Sequence, residues 1–83
     1  MIKWTKNAAE DIEYWKKHDA NKIKRIKSLI ADIQKNPFSG IGKPEALKHD
    51  FSGKYSRRIT KEHRLIYEVK NDEIIIYQAR FHY

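Results

Sequence analysis

The chain has no cysteine, one methionine, two prolines and three glycines in 83 residues. Without cysteine, no disulfide supports the fold and no thiolate can bind metal or attack a substrate. The same absence fits a reducing compartment, so a cytoplasmic location is expected. No apolar run approaches the roughly 20 residues that a membrane span needs. The opening Met1-Ile2-Lys3-Trp4 lacks the apolar segment of a secretory signal. All five Pro and Gly fall between Pro37 and Gly53, which reads as a loop of turns. Negative charge is also scarce, with 11 Asp/Glu against 18 Lys/Arg and a net charge of +7. Residues 1–36 hold nine basic against five acidic side chains, and residues 37–83 hold nine against six. Such a surplus attracts polyanions: RNA, DNA or an acidic protein. A plainly solvated basic surface would account for the charge as well. A domain of this size buries only about 60% of its unfolded surface, so its margin of stability is thin.

What is present reads as one α+β domain over residues 1–83. Ile2-Lys3-Trp4 suits a short strand. Thr5 can cap a helix to about Lys17, with Ala8, Ile12 and Trp15 at helical spacing. Asp19 is placed to cap a second helix whose Ile23, Ile26, Ile30 and Ile33 form one apolar stripe. Asn36-Pro37 ends it, because the residue before proline disfavours the helical region. Two helices joined by so short a turn form an antiparallel hairpin. In the loop that follows, Glu45–Lys48 suits a helical turn. Three strands are expected at Lys54–Thr60, Arg64–Val69 and Ile74–Phe81, with Lys70-Asn71-Asp72-Glu73 as a turn. The pattern is β-α-α-β-β-β: a small, mainly antiparallel four-stranded sheet with the helical hairpin on one face. Alternation puts Leu65, Tyr67 and Val69, and then Ile75, Tyr77, Ala79 and Phe81, toward the helices. It puts Arg64, Gln78, Arg80 and His82 on the other face, where Arg58 can join them. Because Phe81 would point into the core, the end of the chain is expected to be docked rather than frayed.

Seven Lys/Arg lie between Lys43 and Arg64, interleaved with Tyr55, His49, His63 and the carboxylate of Glu45. Cations neutralise phosphate and aromatic rings stack on bases, so the segment suits single-stranded RNA. A solvated cationic edge strand is the competing reading. A zinc site built from His49, His63 and His82 lacks the usual close ligand spacing.

Four ordered blocks make the reading more specific. They are Lys43-Pro44-Glu45-Ala46-Leu47-Lys48-His49, Ser52 to Ile59, Glu62-His63-Arg64-Leu65-Ile66-Tyr67, and Arg80-Phe81-His82-Tyr83. Together they resemble the Txe/YoeB toxin family, within the RelE-like ribonucleases of bacterial type II toxin–antitoxin systems. The resemblance implies a RelE-like fold and a ribosome-dependent mRNA endoribonuclease that works without cofactor. Matched block by block, it implies that Glu45 is the general base, Arg64 the cation that stabilises the phosphorane, and His82 the general acid. Lys48, Arg58 and Tyr83 match positions that bind and orient RNA. It also implies a cognate antitoxin with an acidic, partly disordered tail, a homodimer, and contact with operator DNA only as the antitoxin complex. Two other functions fit the same fold: a non-catalytic co-repressor and a gyrase-poisoning toxin. Neither requires an acid–base set.

The chemistry agrees with those roles. RNA supplies its own nucleophile, the 2′-hydroxyl. Cleavage then needs a proton acceptor, a cation on the non-bridging oxygens and a proton donor for the 5′-oxygen. A histidine titrates near pH ~6.5, useful for that donor. Arginine stays charged and offers a fixed fork to phosphate oxygens. The products would be a 2′,3′-cyclic phosphate and a 5′-hydroxyl.

Overall fold

The computed structural model describes residues 1–81, so His82 and Tyr83 lie outside the described residues. Strand β1 (Ile2–Trp4) leads into helices α1 (Lys6–His18) and α2 (Ala20–Lys35). Then come β2 (Glu45–Ala46), a 3-10 turn at His49–Phe51, β3 (Tyr55–Arg58), β4 (Arg64–Lys70) and β5 (Glu73–Gln78). Among the described residues these strands form one sheet in the order β1-β5-β4-β3-β2. The β1–β5 pair is parallel and the other pairs are antiparallel. The sheet thus has five strands where four were expected. The extra one is β2, at the position read as a helical turn: Glu45 and Ala46 pair with Ser56 and Tyr55 instead of coiling.

Local chemistry sets the helices. Thr5 Oγ1 accepts from the Ala8 N–H at 3.2 Å, satisfying one of the free amides of α1. The Asp19 N–H closes α1 on Trp15 O at 2.8 Å, and its carboxylate opens α2 by accepting from Asn21 N–H at 3.2 Å. One residue therefore caps both helices. α2 ends at Asn36, whose N–H donates to Asp32 O. Between β4 and β5, Asn71 and Asp72 have φ of 52° and 63°, the left-handed pair that a two-residue hairpin requires.

The core lies between the helices and one face of the sheet. Ala8 and Trp15 from α1 and Ile26, Leu29, Ile30 and Ile33 from α2 meet Leu65, Tyr67, Ile74 and Ile76. Alternation along β4 is as expected; along β5 it is not. Ile76 pairs with Tyr67 but Gln78 pairs with Ile66, so Tyr77 is an extra residue in the ladder. This bulge flips the parity of everything after it. Before it, Ile74 and Ile76 face the core in place of Ile75 and Tyr77. After it, Ala79 is fully buried, while Phe81 is 56% exposed and does not pin the strand. Arg80 lies beyond the end of β5, and despite that parity it reaches the helical side, its guanidinium 3.5 Å from the centre of the Tyr14 ring on α1.

Arg57 organises the loop between α2 and β2. It is fully buried on the helix-facing side of β3. All five of its N–H donors are matched. Nε donates to the Tyr67 hydroxyl, Nη1 to Asp32 Oδ2 and Ile41 O, and Nη2 to Asn36 O and Ser39 O. The Tyr67 hydroxyl in turn donates to Pro37 O at 2.7 Å. Gly42 closes the loop. Its carbonyl accepts from Arg58 N–H at 2.7 Å. A Cβ at that position would lie 2.8 Å from Leu29 Cδ2 and 3.2 Å from Arg57 Cβ.

Candidate active site

The site occupies the face of the sheet turned away from the helices. Residues directly opposite each other across a ladder share a face. Arg58 is opposite Arg64, Ser56 is opposite Ile66, and Glu45 is opposite Ser56. Since Arg57 and Leu65 face the core, these groups face outward. The structure therefore puts three expected site residues together: Glu45 on β2, Arg58 on β3 and Arg64 on β4. Glu45 and Arg58 are diagonal neighbours, about 7–8 Å apart at Cα.

Like charges directly opposite in a sheet repel, yet Arg58 and Arg64 sit so. Each has its Nε buried and without a hydrogen-bond partner among the described residues. Two forks with unmatched donors suit a group rich in acceptor oxygens, such as phosphate. Below them Ser56 and Ile66 are buried, giving the site a closed floor. The backbone is held from behind by α2, where Arg25 Nη2 donates to Arg58 O at 3.0 Å.

Lys48 lies just past β2, and its carbonyl accepts from Phe51 N–H in the 3-10 turn. It lines an open cleft of about 480 Å³ together with Glu45, His49 and Phe51. Tyr55 does not join them. It turns to the helical side and packs on Phe38 and Tyr67, with ring centres 4.9 Å and 6.0 Å away. The stacking role suggested by interleaving is therefore not available to Tyr55, whereas Phe51 is 38% exposed in the cleft.

His82 and Tyr83 lie outside the described residues, and the backbone just before them is held by several hydrogen bonds. Phe81 O accepts from Arg64 N–H at 3.0 Å. Phe81 N–H donates to His63 Nδ1 at 2.8 Å. Two residues earlier, Ala79 N–H donates to Asp11 Oδ2 at 3.0 Å, and Ala79 O accepts from Trp15 Nε1 at 2.7 Å. Burial raises the Asp11 carboxyl above the ordinary carboxylate range, against the Ala79 N–H and Arg80, which pull it down. Asp11 and Trp15 carry no site role in the sequence; His63 appears there in the cationic segment beside Arg64, without a role of its own. One signal was available: a carboxylate in the same helical stripe as Ala8 and Trp15.

The comparisons with known proteins agree with this fold. Solved structures of the E. coli toxin YafQ share the fold, with a TM-score of 0.76 at 18% identity over 98% of this chain and 91% of that one. The likeness is much closer to a YoeB/ParE toxin from Agrobacterium tumefaciens, with a TM-score of 0.96 and 43% identity over 99% and 98% of the two chains. A YoeB–YefM complex from Staphylococcus aureus matches with a TM-score of 0.93 and 40% identity over 100% and 97%. The same organism's YoeB has also been solved as a dimer. In sequence, the chain is 50% identical to toxin YoeB of Streptomyces coelicolor over 99% of this chain and 98% of the relative. It is 48% identical to toxin YoeB of E. coli K12 over 96% and 95%. The fold and the sequence are those of a toxin from a toxin–antitoxin system. Residues 4–83 match the YoeB-like toxin family of bacterial type II toxin–antitoxin systems, and the chain belongs to that family.

Proposed function

We propose that this toxin acts in the cytoplasm as a ribosome-dependent mRNA endoribonuclease. The observation that carries the proposal is the Arg58–Arg64 pair, with two buried Nε donors unmatched among the described residues, on the same face as Glu45. Glu45 accepts the proton of the 2′-hydroxyl and helps hold that hydroxyl in line. The oxygen attacks the adjacent phosphorus. Arg64, with Arg58 and Lys48, takes up the charge that develops on the non-bridging oxygens. His82 donates a proton to the departing 5′-oxygen, and Tyr83 orients the RNA. The attacking oxygen, the cation and the leaving-group acid all come from RNA and protein, so the scheme needs no metal. The ribosome would hold the mRNA backbone in the reactive alignment, a large part of the barrier for any such displacement.

Two partners follow from the relatives and the charge. A YefM-like antitoxin with an acidic, partly disordered tail would neutralise the basic face, and only that complex would bind operator DNA. A second copy would cover the exposed Trp4 beside Ala9 and Ile12.

Primer extension on translated mRNA tests the activity. Ribosome-phased cuts are expected with the wild type and should vanish in His82→Ala and Glu45→Gln. No cuts by the wild type, with DNA binding or gyrase inhibition instead, would replace this reading by a co-repressor or a gyrase poison.

A further inference from the structure

A general acid must be held to within a fraction of an ångström, and His82 follows an exposed residue near the end of the chain. Covalent geometry narrows the question. Consecutive Cα atoms in a chain are about 3.8 Å apart across a trans peptide. Whatever fixes Phe81 therefore fixes the origin from which His82 reaches. Phe81 is not held by burial, being 56% exposed. Its φ of 63° belongs to the left-handed region, which bulky residues rarely adopt. Something must over-determine that conformation.

We propose that His63 is a positioning residue for the terminal acid, with Asp11 and Trp15 as its support. The inference rests on the nuclease reading above. His63 Nδ1 accepts from Phe81 N–H, so the ring is held with its proton on Nε2. The Trp15 indole stands edge-on to this ring, centres 4.9 Å apart, and fixes its plane. Asp11 and Trp15, one helical turn apart, grip the N–H and C=O of Ala79. Arg64 N–H grips Phe81 O, the oxygen of the peptide that joins residues 81 and 82. Arg64 and His63 thus hold the C=O and the N–H of Phe81, the residue that precedes the candidate acid. A sheet-edge histidine with only a local role would have no reason to accept from an amide 18 residues away.

His63→Leu, His63→Asn and His63→Gln test the proposal in the full-length toxin with ribosomes and mRNA. Asn Oδ1 falls where Nδ1 stands, whereas the Gln oxygen is one carbon too far. We expect His63→Leu to lower kcat about 10- to 100-fold, the cost of misplacing a group by about 1 Å. KM should change less than about twofold, because Arg58 and Lys48 are untouched. Asn should recover most of kcat and Gln little. Trp15→Phe, which loses the donor to Ala79 O but keeps a ring, should lower kcat in the same direction if His63→Leu proves too unstable to assay. Wild-type kcat in His63→Leu, or Asn no better than Gln, would overturn the proposal. A readout independent of activity is the hydrogen exchange of the Phe81 amide. It should be slow in the wild type and His63→Asn and fast in His63→Leu. Fast exchange in the wild type would overturn the positioning role even if RNA is cut. Slow exchange in a wild type that cuts nothing would support the backbone contact, yet overturn both the nuclease reading and the role built on it.

Discussion

Arg57 and Arg58 are adjacent in β3, and their guanidinium groups live in opposite environments. Arg57 points to the helices, is fully buried and has a partner for each of its five donors. Arg58 points outward beside Arg64, and both keep an unmatched Nε among the described residues. The first arrangement spends its hydrogen-bonding capacity on the fold. The second withholds it, at the cost of repulsion between like charges. An arginine that stabilises and an arginine poised to bind are therefore told apart by what their donors already hold, not by residue type or neighbourhood in the chain.

Substitutions can break this contrast from either side. Replacing Arg57 by Leu removes a donor from the Tyr67 hydroxyl, the carbonyls of Asn36, Ser39 and Ile41, and the carboxylate of Asp32. Stability should fall by about 3–5 kcal/mol, read from urea or thermal melts. Arg64→Ala should do the reverse. Cleavage should drop about 10²–10³-fold, while stability changes by less than about 0.5 kcal/mol because a repulsive pair is relieved. If Arg64→Ala melts the protein as Arg57→Leu does, the contrast is wrong. Gly42→Ala probes the loop that Arg57 gathers. With φ of 80° and a Cβ 2.8 Å from Leu29 Cδ2, it should cost about 1–3 kcal/mol and lower Tm accordingly.

The smallest effect is in pH dependence, where two aspartates have opposite signs. The hydrogen bond from Arg57 holds the Asp32 carboxyl below the usual 3.8, so its contribution is present above pH 3.8 and is lost as pH falls through the lower folded value. Burial raises Asp11, so its contribution is present below pH 3.8 and is lost as pH climbs through the higher folded value. In melts between about pH 2 and 6, Asp32→Asn should flatten the acid limb of the wild-type curve. Asp11→Asn should instead remove the decline on the other side.

Much of the fold was legible because its signals are local. Thr5, Asp19 and Asn36-Pro37 set the helix ends through side chains or φ restrictions that act within four residues. Asn71-Asp72 set the hairpin in the same way. The β5 faces were misread because a bulge at Tyr77 leaves no local mark: it answers a register mismatch with β4, not a residue preference. Arg80 departs from the expected face for another reason: β5 ends at Gln78, so strand alternation no longer governs it. Glu45-Ala46 reads as a turn until β3 offers its free edge, so that strand exists only through tertiary pairing. Among the site residues, Glu45, Arg58 and Arg64 are brought to one face, and Lys48 shares the cleft with Glu45. Tyr55 has a role that only packing reveals. The contact of His63 was not legible because its partner is a backbone amide, which no sequence motif advertises.

The grip of Arg57 on the loop before β2 also bears on how the chain meets proteases. Phe38 and Ile41 are 59% and 43% exposed, in a segment without a hydrogen-bonded ladder of its own. Such a segment is ordinarily the first place to be nicked. Here a protease must draw several residues into an extended form, which means pulling Asn36, Ser39 and Ile41 off one buried side chain. That side chain cannot release them singly without baring its charge in the core. The loop should therefore open only with the domain, and chymotryptic cutting at Phe38 should track global unfolding rather than local exposure.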